Sequence, residues 1–211
     1  MGPGLVEFEH VTARHRAVTA VDGVDLSIEP GTNLAVCGSN GAGKSTLARC
    51  LLGLHPLASG EVRVDGEHPA TRSGWRQRRL EVAYVPQRPS VGQFPLLVRE
   101  VLESSGDLPA ALAAAERLSI AHLADRPADT LSGGQLQRVM LARGVACVTR
   151  GATVLVADEP TSALDFEGQV EVAALLTGLG VTTILITHEQ VVVDRCDRVV
   201  EMAQGRLRER A

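Results

Sequence analysis

Residues 38–45 read Gly38-Ser39-Asn40-Gly41-Ala42-Gly43-Lys44-Ser45 and lie between a short apolar run, Asn33–Cys37, and a stretch with helical spacing of Leu47, Leu51 and Leu54. The pattern G-x-x-x-x-G-K-[ST] between a buried strand and a helix turns backbone N–H groups toward a phosphate. The glycines allow that turn, and the helix N-terminus adds its dipole. Lys44 brings a full positive charge to the β and γ phosphates, Ser45 offers a hydroxyl to Mg²⁺, and Thr46 continues the same turn. The spacing does not fit a dinucleotide G-x-G-x-x-G site.

The rest of the chain reads as strands alternating with helices. Strands are expected over 5–11, 24–28, 33–37, 61–65, 82–85, 153–157, 182–187 and 198–202, and helices over 44–54, 135–148, 166–179 and 190–195. That alternation implies a mostly parallel sheet covered on both faces. The early strands are joined by short turns, so part of the sheet is expected to be antiparallel. Residues 98–118 are rich in Ala and Leu with Gly106 and Pro109 as a break, which reads as two short helices in a small helical insert.

Composition bounds the function. Apolar residues make up 45% and charged residues 22% of the 211, with a net charge of −4 and no block of Lys or Arg. This is an ordinary globular chain without a nucleic-acid footprint. The cluster Arg76–Arg79 reads as a solvated helix face. Cys37, Cys50, Cys147 and Cys196 show no metal spacing and read as reduced, mostly buried thiols of a cytosolic protein. No apolar run approaches the ~18–20 residues of a membrane helix. Neither a signal peptide nor a myristoylation site is expected, so any work at a membrane would need another chain.

Two further motifs carry chemistry. Val154-Leu155-Val156-Ala157-Asp158-Glu159 is an apolar strand ending in two carboxylates. It would deliver Asp158 to the carboxyl edge of the sheet, to hold Mg²⁺ directly or through water, and Glu159 to polarise an attacking water. A strand that turns acidic where it meets solvent is the competing reading. Leu131-Ser132-Gly133-Gly134-Gln135 precedes a strong helix. Ser132 could simply cap that helix; alternatively Ser132, Gly133, Gly134 and Gln135 bind a γ-phosphate. In the second reading a second copy of the chain must supply the segment, since the helical insert separates it from its own phosphate loop.

Taken together, these residues resemble the ATP-binding subunit of an ABC transporter, over nearly the whole chain and in the family's order. The resemblance implies a single ABC ATPase domain over 1–211. Its fold would be an α/β P-loop NTPase with a mostly parallel sheet, an antiparallel β subdomain and a helical subdomain at about 96–145. It implies ATP as substrate, Mg²⁺ as cofactor, and a head-to-tail dimer with a second copy or homologous subunit. Further implied partners are a transmembrane permease on the inner face of the cell membrane and a substrate-binding protein. Gln87 resembles the Q-loop glutamine, a link to Mg²⁺ and the membrane partner. Ser162-Ala163-Leu164-Asp165 resembles the D-loop, and His188 the switch histidine at the γ-phosphate. Glu159, His188 and Lys44 form the expected catalytic set.

Two departures stand out. The family stacks an aromatic residue on adenine where residues 12–16 hold no Phe, Tyr or Trp; His15 falls closest to that position. The stretch from Gln87 to Leu131 is also short, the shortfall lying between Glu103 and Ala110. Residues 84–98, the Phe94-Pro95 pair above all, are similar to ATPases of zinc and manganese importers. Siderophore or cobalamin importers, small exporters and a cluster-assembly scaffold remain alternatives, while a plain phosphotransferase is disfavoured by residues 131–135.

Overall fold

The computed structural model describes residues 3–87, 89 and 95–210. The chain opens on an antiparallel hairpin of β1 (Val6–His15) and β2 (Val18–Ile28). After β3 (Asn33–Cys37) and α1 (Lys44–Leu51), strand β4 (Ser59–Val64) pairs antiparallel with the free side of β1, giving a sheet ordered β2-β1-β4. Then come α2 (Arg72–Glu81) and β5 (Val82–Val85), followed by α3 (Val98–Glu103), α4 (Leu108–Arg117) and α5 (Gly133–Thr149). The chain ends with β6 (Val154–Asp158), α6 (Phe166–Thr177), β7 (Thr182–Ile186), α7 (Gln190–Val193), β8 (Arg198–Ala203) and β9 (Arg206–Glu209). The second sheet is ordered β5-β6-β7-β3-β8-β9, parallel except for the β8–β9 pair.

Strand parity decides where chemistry lands. Side chains alternate between the faces of a strand, and every residue of β6 is buried. Val154 and Val156 join the core around α1, with Leu47, Leu51, Phe8 and Ile28. Leu155 and Ala157 join the opposite core, built with α3, α4, α5 and α6. The next residue on the α1 side is Asp158, so the pattern that buries the strand aims its terminal carboxylate at the phosphate loop. A buried face on both sides explains the apolar runs Leu34–Cys37 in β3, Val154–Ala157 in β6 and Ile184–Ile186 in β7. Each fully buried Leu or Val contributes about 1.5–3 kcal/mol relative to exposure.

The two short helices around Gly106 and Pro109 form as expected. Gly106 has φ 82, and Asp107 caps α4 by accepting from the N–H of Ala110 at 3.0 Å, with Pro109 in the first turn. β1 runs on to His15, beyond the expected 5–11, and three further features depart from the sequence reading. β2 begins six residues earlier than 24–28, in a segment whose outer end is exposed (Val18 is 67% accessible) and so shows no apolar alternation. β9 follows the turn at Gln204-Gly205 as a charged edge strand, a composition that protects sheet edges but hides them from periodicity. The Arg76–Arg79 cluster is not a uniformly solvated face. Arg78 is 1% exposed, with its guanidinium donating to Leu51 O at 3.4 Å and Glu67 O at 2.5 Å, and 6.0 Å from the Trp75 ring. Among the described residues no helix is long and apolar enough to cross a membrane. No disulfide forms: Cys37 and Cys50 are buried, and Cys147 and Cys196 half-buried.

Candidate functional site

The loop between β3 and α1 has the backbone its glycines permit. Gly38, Gly41 and Gly43 have φ of 137, 81 and 110, a region that strongly favours glycine. Two of them also have no room for a side chain. A Cβ on Gly38 would lie 2.1 Å from Met202 O, and one on Gly43 2.1 Å from Ala20 O. Lys44 opens α1, is 7% exposed, and folds back so that Nζ donates to Gly38 O at 2.7 Å and Ser39 O at 3.0 Å. No side chain caps the N-terminus of α1, which leaves its first N–H groups to a ligand.

Above the loop is a cavity of about 360 Å³. Asn40, Gly41, Gly43, Lys44, Ser45 and Thr46 of the loop and α1 line it together with Asp158 and Glu159 from the end of β6, Gln87, and Ala20 of β2. Gly38, Ser39 and Ala42 shape the loop beneath. Asp158 is 2% exposed. Burial pushes its carboxyl above the ordinary value of 3.8, while the Ser45 hydroxyl, Arg49 and Lys44 pull the other way.

Glu159 follows with φ 49, a left-handed conformation costing roughly 1–3 kcal/mol for a residue with a side chain. Its N–H donates to Ile186 O at 2.8 Å, which ties the turn to the end of β7. The carboxylate is buried at 4% exposure and meets His188: Nδ1 is 3.1 Å from Oε1 and 3.0 Å from Oε2. Only the Oε1 contact has hydrogen-bond geometry, since Oε2 is left without a partner. The imidazole itself is 67% exposed.

Residues 131–135 lie elsewhere. Ser132 Oγ accepts from Gln135 N at 3.2 Å and Gln135 Oε1 accepts from Ser132 N at 3.0 Å, a reciprocal cap on α5. None of the five residues lines the phosphate-loop cavity. Gln135 instead borders a separate cavity with Arg138 and Asp165. The glycine pair is not equivalent. A Cβ on Gly134 would lie 3.0 Å from Ala163 O, so this glycine has the local packing use that the sequence did not reveal, whereas one on Gly133 would meet nothing within 4 Å.

The sequence pattern of the ABC transporter family matches residues 21–162. The chain belongs to that family. It is 36% identical over 208 residues to the zinc import ATP-binding protein ZnuC of Pseudomonas fluorescens, covering 95% of this chain and 74% of the relative. It is 40% identical over 226 residues to the methionine import ATP-binding protein MetN of Rhizobium etli, covering 96% and 60%. An ATP-binding cassette solved as a dimer in a post-hydrolysis state bound to ADP and Pi superposes with a TM-score of 0.86 at 25% identity, covering 98% of this chain and 99% of that one. This ABC cassette is therefore an ATP-binding ATPase, as its motifs imply.

His15 is not among the residues lining the phosphate-loop cavity of this ABC ATPase. It sits at the tip of the β1–β2 hairpin opposite Val18, with its ring stacked on His55 at 6.2 Å and 21°. Gln87 does reach the cavity. Of the Phe94-Pro95 pair, Phe94 lies outside the described residues. Sequence reasoning missed Ala20, whose only signal is its place in a hairpin that packs on the loop. It also missed Glu189, which adjoins His188 and accepts hydrogen bonds from Thr161 and Gln169.

Proposed function

We propose that two copies of this ABC ATPase close head to tail around two ATP molecules, and that the movement drives metal-ion import through a transmembrane permease. One observation carries the dimeric reading. Lys44, Ser45, Gln87, Asp158 and Glu159 share a cavity that Ser132, Gly133, Gly134 and Gln135 do not line, so a γ-phosphate clasped by both sets needs a second copy. The relative solved as a dimer is in keeping with this.

In the closed pair, the loop N–H groups and Lys44 hold the β and γ phosphates, and the α5 N-terminus of the other copy approaches from the opposite side. Glu159 orients the attacking water for in-line displacement, and His188 contacts the γ-phosphate. Catalysis of this kind is mostly positioning and charge stabilisation. Ser45, Asp158 and Gln87 present oxygen donors, and no three His, Cys, Asp or Glu side chains gather among the described residues. A site with few protein ligands suits Mg²⁺ held jointly with substrate phosphates. When bound, it would neutralise charge on the phosphate oxygens.

Next to Gln87, an apolar groove of about 450 Å³ runs between Tyr84, Pro86, Leu96, Val101 and Met140. Its continuity with the Gln87 segment supports it as the docking place of the permease, which would hold the chain on the inner membrane face. The 96–145 region would act as the helical subdomain that passes movement on. Metal ions as cargo rest on the relatives named for zinc import, at 36% and 37% identity. The methionine import relative at 40% supports amino-acid import as the second reading. Hydrolysis measured across a dilution series tests the dimer. Specific activity should fall as the chain is diluted; a constant rate per chain would refute the shared site.

A further inference from the structure

The turn that carries His188 is held by a carboxylate that the ATPase reading leaves unused. Glu189, the residue after the histidine and the N-cap position of α7, accepts from Thr161 Oγ1 through one oxygen and from Gln169 Nε2 at 3.1 Å through the other. Its own N–H donates to Thr187 Oγ1 at 3.1 Å. Thr161 and Thr187 are both fully buried. Thr161 stands two residues after Glu159, and Gln169 belongs to α6, where its Nε2 also reaches Leu164 O at 3.4 Å. One carboxylate therefore fastens three pieces together: the His188 turn, the turn leaving Glu159, and the Ser162-Ala163-Leu164-Asp165 segment.

We propose that Glu189 is a positioning residue of the ATPase reaction, acting through its bonds to Thr161 and Gln169 to keep the His188 imidazole on Glu159. The proposal rests on the reading of Glu159 and His188 given above. The exposed imidazole has one contact with Glu159, and a surface side chain with a single contact samples many rotamers. Anchoring the next residue through two half-buried bonds fixes the backbone from which the ring projects. The donor count is specific. An ionised carboxylate accepts on both oxygens, so the Thr161 hydroxyl and the Gln169 amide can both donate to it. Because Gln169 also reaches Leu164 O, within the Ser162–Asp165 stretch that resembles the family's D-loop, the same anchor ties the His188 turn to that stretch.

A reversed pair tests this. Gln169→Glu sets two carboxylates against each other, whereas Gln169→Glu combined with Glu189→Gln restores a donor facing a carboxylate and leaves Thr161 an acceptor. The singles Gln169→Glu and Glu189→Ala should lower kcat at least about tenfold, as expected for a displaced catalytic group, with KM and calorimetric ATP affinity near wild type. The double variant should recover to within about threefold of wild type. Retained ATP affinity shows that each variant is folded. Singles with wild-type kcat, or a double variant no faster than Gln169→Glu, would overturn the proposal. His188→Ala in the same assay separates the two levels. If it loses turnover while Glu189→Ala does not, only the positioning role fails; if it keeps turnover, the reading of the site fails and takes this inference with it.

Discussion

His188 Nδ1 lies 3.1 Å from Glu159 Oε1, although 29 residues separate the two in the chain. The contact joins the end of β6 to the end of β7, neighbours in the sheet. It places an exposed imidazole against a buried carboxylate that lines the phosphate-loop cavity. Glu159 meets the ring from a left-handed backbone with φ 49, one residue beyond the end of β6.

Replacing that carboxylate separates binding from turnover. Glu159→Gln keeps the size of the side chain and removes the charge proposed to orient water. Turnover should fall at least about 100-fold while ATP still binds. The variant should accumulate as an ATP-dependent dimer in light scattering. Near wild-type hydrolysis would remove Glu159 from its role.

Lys44 has two tasks. Its Nζ holds Gly38 O and Ser39 O and, in the proposed ATP site, would supply charge to the phosphates. Lys44→Ala should weaken ATP binding at least about 100-fold, a loss of roughly 2.7 kcal/mol. Calorimetry measures this directly, and unchanged affinity would contradict the loop assignment.

Gly133 offers a cleaner probe of the second copy. A Cβ there would meet nothing within 4 Å, and Gly133 is the first residue of α5, where alanine is tolerated as well as glycine. Gly133→Ala should leave the melting temperature of the monomer unchanged or slightly raised. ATP-driven dimerisation should nevertheless weaken. Undisturbed dimerisation would favour the reading of residues 131–135 as a simple helix entry.

Asp158 links pH to stability. Its native carboxyl is raised above 3.8 by burial, so the folded state holds the proton more tightly than the unfolded chain. The stability it contributes is present below the ordinary Asp value and is lost as pH rises through the raised one. At neutral pH the native protein bears the cost of a buried charge. Asp158→Asn should therefore melt higher than wild type at pH near 7 without nucleotide, the gain vanishing on acidification toward pH about 4. Turnover with Mg²⁺ should fall about 100-fold. Thermal melts at both pH values, with the ATPase rate, check the pair of effects.

His15 completes the set. Its ring already stacks on His55 at 6.2 Å, but it carries less area than a tyrosine. Aromatic stacking contributes about 0.5–1.5 kcal/mol beyond area burial, so His15→Tyr should tighten ATP binding about twofold to tenfold. Calorimetry with ATP and GTP would detect a matching rise in base selectivity; equal affinities for the variant and wild type would remove position 15 from base recognition.

Legibility in the sequence followed burial. β3 and β5 were bounded to the residue because they are buried runs ended by turns. Asp158 and Glu159 were legible because a two-sided buried strand leads to them. The outer half of β2 and the whole of β9 were not, since exposed strands carry no apolar alternation. Arg78 read as solvated because nothing local marks its partners, carbonyls of Leu51 and Glu67. Glu189 was silent for the same reason: its partners are 28 and 20 residues away.

The touch between Gly43 and the Ala20 carbonyl has a practical consequence for redesign. The hairpin ribbon rests directly on the Gly38–Ser45 loop, so, in the proposed ATP site, shifting its inner strand to favour another nucleobase would also push the triphosphate out of register. Substitutions meant to change base preference should stay at the ribbon's far end, around residues 14–17, and leave the stretch beside Ala20 untouched.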